Sequence, residues 1–209
     1  MVSFADKPVH FFLTTAEWEA FLLADPPDGG VRLQLRKKTS TAPGITWQEA
    51  LDVALCFGWI DGQAGRFDAD HTLQAFTPRR KRSPWSQVNQ GHVARLTAEG
   101  RMRPGGLAEV ERAKADGRWA AAYRQKGAPV PEDLAAALAA SPAALAAFTA
   151  LDGQNRFAIL FRIGAVVRPE TRARKIAEFT TMLEEGRLLH PRATPPAQDE
   201  DPPGSVPAG

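Results

Sequence analysis

The 209-residue sequence predicts an α+β protein: a small antiparallel sheet with helices in the amino-terminal half, a helical carboxy-terminal half, and a disordered, acidic, proline-rich tail. Three observations predict this class. Val31, Leu33 and Leu35 alternate with Arg32, Gln34 and Arg36, the period of a half-buried strand. Two Thr-x-x-Glu boxes, Thr14 with Glu17 and Thr46 with Glu49, each precede an apolar stretch of helical period. From Ser83 onward the apolar residues recur every three or four positions, so the remainder reads as helix after helix.

The elements follow in order. Phe11 to Leu13 predicts a short strand, and Thr14 caps a helix that runs through Leu23, with Leu13 and Trp18 placed to form a hydrophobic staple. Asp25-Pro-Pro-Asp-Gly-Gly stops it. The strand at Val31 to Arg36 puts its aliphatics on one face and its cations on the other, and Lys37 and Lys38 extend that basic edge. Thr46 then starts a helix whose buried stripe is Trp47, Ala50, Leu51, Ala54 and Leu55, closed by Gly58. Trp59 to Phe76, punctuated by Gly62, Gly65 and Asp68-Ala-Asp70, predicts a twisted antiparallel hairpin or small sheet. Ser83 caps, and Pro84 begins, a helix carrying Trp85, Val88, Asn89, Val93 and Leu96. Leu107 to Ala115 is a further helix, broken at Asp116-Gly117 before Trp119 and Tyr123. Ser141-Pro142 divides the alanine-rich stretch Pro131 to Ala150 into two short helices by supplying a cap and a first-turn proline. Phe157, Leu160, Phe161 and Gly164 mark the next helix face. The last helix, Glu170 to Glu185, turns Ile176, Phe179 and Leu183 inward, and leaves Arg172, Arg174 and Lys175 either exposed or facing an anion. The domain reading is an α+β unit over residues 1–100, a helical unit over 101–189 packed on it, and a tail over 190–209 with six prolines from Pro191 onward.

Composition narrows the function classes. A formal charge of +2 becomes +4 for residues 1–190 once the tail's −2 is removed, which favours anionic partners. The single cysteine, Cys56, cannot form an internal disulfide or a multi-cysteine metal site, and reads as a buried, inert thiol suited to a reducing cytoplasm. No stretch approaches the roughly 20 apolar residues that span a bilayer, so no membrane insertion is expected. The amino terminus lacks the pattern of a secretory signal. Glycine-rich nucleotide loops, His-Glu-x-x-His and Gly-x-Ser-x-Gly are all missing, so no cofactor is expected. Asp68-Ala-Asp70-His71 has the ligand types of a cation site, but with no distant partner cluster it reads as a turn capped by its own carboxylates, and no metal is expected.

The candidate site lies between Phe57 and Asn89. Arg79-Arg80-Lys81-Arg82 carries four cations up to Ser83-Pro84, where the predicted helix start adds free backbone N–H groups and a positive dipole end. The expected ligand-binding residues are Lys37, Lys38, Arg79, Arg80, Ser83, Ser86 and Asn89, with Trp59, Asp61, Phe76 and Trp85 shaping the floor. Trp59 and Trp85 also fit the phase of core residues. Asp61, beside an indole and a glycine, is the one catalytic candidate, as an acid or base.

An ordered series adds a resemblance: Ala54-Leu-Cys-Phe-Gly-Trp-Ile-Asp-Gly62, Phe76-Thr-Pro-Arg-Arg80, Ser83-x-Trp-Ser-x-x-Asn89, Gly100-x-Met102, Ala113-Lys-x-Asp-Gly-Arg-Trp119 and Glu170-Thr-Arg-x-Arg-Lys175. Over residues 10–187 it resembles the YdeI/OmpD-associated family, also called bacteriocin-protection proteins. The resemblance implies a role in tolerance to bacteriocins or cationic antimicrobial peptides and an envelope association, and carries over no catalytic residues. The combined expectation is a cytosolic, cofactor-free binder of an anionic small molecule or phosphate-bearing ligand. The alternatives are a nucleic-acid-binding protein and an enzyme acting on a small anionic substrate through Asp61. The sequence leaves the oligomeric state open.

Overall fold

The computed structural model describes residues 2–124 and 127–191, which divide into two compact units at Gly127/Ala128. The predicted tail lies outside the described residues from position 192 onward.

In the first unit, β1 (Val9–Phe11), β2 (Val31–Arg36), β3 (Trp59–Arg66) and β4 (His71–Pro78) form one sheet in the order β1-β2-β4-β3. The β3–β4 hairpin and the β2–β4 pair are antiparallel, as the sequence predicts. The sheet is nevertheless mixed, because β1 pairs with β2 in parallel. The helix α1 (Thr15–Leu23) lies between them in sequence, and a crossover of that length returns the chain in the same direction. β1 also sits two residues earlier than the expected strand, with Val9, His10 and Phe11 paired to Arg32, Leu33 and Gln34, while Thr14 caps α1 as predicted, its side chain accepting from the Glu17 N–H. Glu17 in turn accepts from the Leu13 N–H at 2.8 Å, and Leu13 stays 55% exposed, so the predicted staple does not bury it.

The second box is complete. Thr46 accepts from the Glu49 N–H, Glu49 accepts from the Thr46 N–H at 2.7 Å, and these bonds hold the Glu49 carboxyl below its ordinary range. They start α2 (Trp47–Cys56), buried along nearly its whole length. Trp47 escapes the predicted stripe and is 41% exposed. The main core packs α1 and α2 on the sheet through Trp18, Leu33, Leu35, Leu51, Leu55 and Phe76. Trp18 is fully buried and donates its indole N–H to the Ala50 carbonyl at 3.2 Å. Cys56 lies in this core, and burial pushes its thiol up to about 11.

The first unit continues past residue 100, the boundary read from the sequence. After α3 (Gln87–Ala98), α4 (Pro104–Ala115) closes against the end of α2. A Cβ on Gly106 would stand 2.2 Å from the Cys56 carbonyl oxygen, and one on Gly58, whose φ is +79°, would stand 2.8 Å from the Gly105 carbonyl. Only glycine permits that approach. A satellite core of Trp85, Val93, Val110 and Ala113, flanked by Trp119 and Met102, fastens α3 and α4 together.

The second unit is helical: α5 (Glu132–Ala139), α6 (Pro142–Thr149), α7 (Gly153–Gly164) and α8 (Pro169–Glu184). Ser141 caps α6 by accepting from the Ala144 N–H, and Pro142 occupies its first turn, as predicted. On α7 the inward face is Ile159, Leu160 and Ile163, with Phe157 and Phe161 half-buried, so the apolar stripe is rotated from the expected one. Ile176, Phe179 and Leu183 face inward on α8, joined by Met182. Asn155, 1% exposed, accepts from the His190 N–H and donates to its carbonyl, tying the segment after α8 to α7.

Candidate functional site

The cationic run folds differently from its expected place at a helix start. α3 begins at Gln87, three residues later than predicted, and its cap is Ser86, whose hydroxyl accepts from the Asn89 N–H at 3.1 Å. Ser83 caps no helix. It closes a tight turn instead, its N–H donating to the Arg80 carbonyl and its hydroxyl accepting from the Arg80 N–H. Pro84 then holds the chain extended into the cap.

This turn splits the quartet. Arg80, Lys81 and Arg82 are exposed, whereas Arg79 is 6% exposed. The Arg79 guanidinium carbon lies 3.6 Å from the centroid of the Trp85 ring, and Trp85 packs on Trp119 at 4.8 Å. Nη1 of Arg79 donates to the Pro84 carbonyl at 3.2 Å. Its Nε and Nη2, both buried, have no hydrogen-bond partner among the described residues, and neither has the buried indole N–H of Trp85. Nε and Nη2 form one straight edge of the guanidinium, the edge that takes the two oxygens of an oxyanion side by side.

The surrounding charges are mostly committed elsewhere. Arg118 donates to the Ser83 carbonyl at 2.8 Å and places Nη2 2.8 Å from Asp116, so it anchors the turn from the α4 side. Glu109 is paired with Arg112. Burial lowers the Arg79 guanidinium to about 10, against the opposing pull of Glu109, Asp61 and Tyr123. Burial likewise raises the Asp61 carboxyl, held back by the Trp47 indole N–H at 3.2 Å and by the charges of Arg79 and His92. The Tyr123 phenol is raised by burial and by Asp61. Perturbed carboxyl, phenol and guanidinium groups therefore share one neighbourhood, beyond the β3 start and the β4 end.

Other predicted site residues go elsewhere. Trp59 and Phe76 are buried in the main core, where both pack against Trp18. Lys37 and Lys38 follow β2, whose Arg36 pairs with His71 at the far end of β4 from Pro78. Eight strand residues separate them from Arg79, roughly 25 Å. Lys37 instead donates to the carbonyls of Asp68 and Ala69, both at 2.8 Å. Asp68 accepts from the backbone of Asp70 and His71, the capped turn that the sequence predicts. Ser86 and Asn89 stay beside Trp85, as cap and first turn of α3.

Trp47, Glu109, Arg118 and Tyr123 reach the site without having been singled out. Arg118 and Trp119 do belong to the ordered series of residues, but nothing in their spacing says that they fold back on Ser83 and Trp85.

Comparison with known proteins divides the chain as the structure does. Residues 10–109 match the model of a domain of unknown function, DUF8412, and residues 128–186 match that of the family described as Bacteriocin-protection, YdeI or OmpD-Associated. No curated protein and no solved structure matches.

Proposed function

From a chain whose residues 128–186 belong to the bacteriocin-protection, YdeI or OmpD-associated family, we propose a cytoplasmic, non-catalytic binder of an anionic ligand, in the service of stress or bacteriocin tolerance, with the ligand held by Arg79 in the first unit. One observation carries this reading: a buried guanidinium, stacked on an indole, with its bidentate edge unpartnered. Buried polar groups in folded proteins are nearly always hydrogen-bonded, and the charges of Glu109 and Asp61 act on Arg79 without a hydrogen bond to Nε or Nη2. An oxyanion on that edge satisfies two donors and one charge together.

Arg80, Lys81 and Arg82 steer the ligand by their field, and admission requires a local opening, because Nε and Nη2 of Arg79 are buried. The test is a thermal-shift series with phosphate, sulfate and small carboxylates against chloride at constant ionic strength. Binding raises the Tm of the wild type and leaves that of Arg79→Met unchanged. Equal shifts in both proteins, or none in either, refute the assignment.

A second reading, an enzyme with Asp61 as acid or base, is favoured by the raised Asp61 carboxyl next to Arg79 and Tyr123. It requires turnover of a bound anion that Asp61→Asn abolishes while binding persists. A nucleic-acid ligand is distinguished by affinity that falls steeply with salt.

A further inference from the structure

Three buried donors, and not two, stand unspent around the Arg79 guanidinium. Besides Nε and Nη2, the indole N–H of Trp85, a residue 2% exposed, has no hydrogen-bond partner among the described residues. The guanidinium carbon lies 3.6 Å from the centroid of the Trp85 ring, a van der Waals separation that a face-on approach allows and an edge-on one, with N–H groups interposed, does not. The donors therefore belong to two stacked layers, one cationic and one aromatic. Neighbours fix both layers. Trp119 packs on Trp85 with ring centroids 4.8 Å apart, the Tyr123 N–H donates to the Trp85 carbonyl at 3.0 Å, and Nη1 of Arg79 donates to the Pro84 carbonyl at 3.2 Å.

The shape of the anion decides how many of these donors it uses. A carboxylate on the Nε/Nη2 edge keeps both oxygens, and the carbon that bears them, in the guanidinium plane, so no oxygen approaches the indole layer. A group with three terminal oxygens on a tetrahedral centre puts two in that plane and the third out of it. Turned toward Trp85, the third oxygen meets the indole N–H. A buried donor left bare keeps its full desolvation penalty, which makes the carboxylate the poorer ligand. Glu109, Asp61, Tyr123 and Arg118 act on the Arg79 charge whichever anion is bound, so shape and not charge separates one monoanion from another.

We propose, resting on the reading that Arg79 binds an anion, that the ligand ends in a tetrahedral group with three terminal oxygens, a sulfo or phospho group. Two of its oxygens take Nε and Nη2 of Arg79, and the third takes the indole N–H of Trp85. Trp85 is then a specificity residue as well as the face on which the guanidinium rests, and it discriminates against carboxylates.

Thermal shifts of the full-length protein with methanesulfonate, methyl phosphate and acetate, at constant ionic strength, test this. Wild type should bind the tetrahedral probes at least about tenfold more tightly than acetate. Whichever of the two binds tighter names the source, sulfo or phospho. The indole N–H proton signal of Trp85 should move downfield with either and stay in place with acetate. Trp85→Phe keeps an aromatic face for Arg79, loses the N–H, and should bring the tetrahedral probes down to the affinity of acetate. Should that buried substitution prevent folding, the wild-type indole signal gives the same answer. Acetate bound as tightly as methanesulfonate, with both responses lost in Arg79→Met, overturns this inference and leaves the anion reading standing, as does a Trp85 signal unmoved by a probe that Arg79 binds. No Arg79-dependent response to any probe overturns both.

Discussion

Arg79 and Arg172 are both arginines read from the sequence as possible anion contacts, and the structure treats them in opposite ways. Arg172, on the first turn of α8, donates Nε and Nη2 to the carboxylate of Asp133 at 2.6 and 3.0 Å, and Nη1 to the Ile163 carbonyl at 2.8 Å. That bond geometry holds the Asp133 carboxyl below its ordinary range. Arg79 is far more buried, yet the same Nε/Nη2 edge has no partner among the described residues. A cation that the protein itself neutralises is architecture, whereas one buried on an indole with its bidentate edge unspent is the group that the proposed function assigns to a ligand. Exposure does not separate the two, and the pairing of the edge does.

The comparison is most severely broken at the contact of α2 with α4, the helix that carries Glu109, one of the charges acting on Arg79. Gly106→Ala places a Cβ against the Cys56 carbonyl oxygen, a backbone atom that cannot yield without moving α2 or α4. It should cost about 3 kcal/mol in urea unfolding and abolish anion response together with stability. A tolerated alanine means that α4 does not fix Glu109 and Arg118 about the site.

Next in size is a contrast of sign. Arg79→Met removes a desolvated guanidinium whose Nε and Nη2 make no hydrogen bond among the described residues, and should raise stability by about 1 kcal/mol while eliminating binding. Arg172→Met strands Asp133 and should lower stability slightly, the more so at low salt. If Arg79→Met destabilises instead, Arg79 is a structural pin and its resemblance to Arg172 is real.

Asp61→Asn sharpens the electrostatics. Because burial raises the folded-state pKa of Asp61, its contribution to stability is fully present below the unfolded value of about 4 and is lost as pH rises through the folded value. The variant should lack that loss, gaining on wild type from pH 3 to 7 in parallel unfolding curves. The smallest expected effect is that of Lys37→Ala with Lys38→Ala, at the other end of the sheet, which should leave anion response unchanged.

Much of this architecture was legible in the residues. Thr46 and Glu49 specify a helix start by local hydrogen bonds alone, and the alternation from Val31 to Arg36 specifies a strand by its faces, so both were readable without knowledge of neighbours. The parallel placement of β1 was not, because it depends on which edge of β2 remains open after the hairpin has paired. The site was half legible. Arg79 and Trp85 stood out as cation and indole near each other in sequence, but Ser83 and Ser86 are equally good caps locally. The choice of Ser86 follows from Tyr123 and Arg118, whose backbone and side chain bind the segment from about 35 residues away: the Tyr123 N–H donates to the Trp85 carbonyl at 3.0 Å and Arg118 to that of Ser83. Lys37 and Lys38 joined the expected site through composition, and strand length removed them.

The central claim is that the Nε/Nη2 edge of Arg79 receives an anion. Anomalous diffraction from crystals of the wild-type protein soaked in iodide tests it most directly, since iodide is a monoanion whose position is read without assuming a ligand. A peak in contact with Nε and Nη2 of Arg79, lost in Arg79→Met crystals, is the predicted result. Iodide at the exposed cations of the Arg80–Arg82 turn with none at that edge contradicts it.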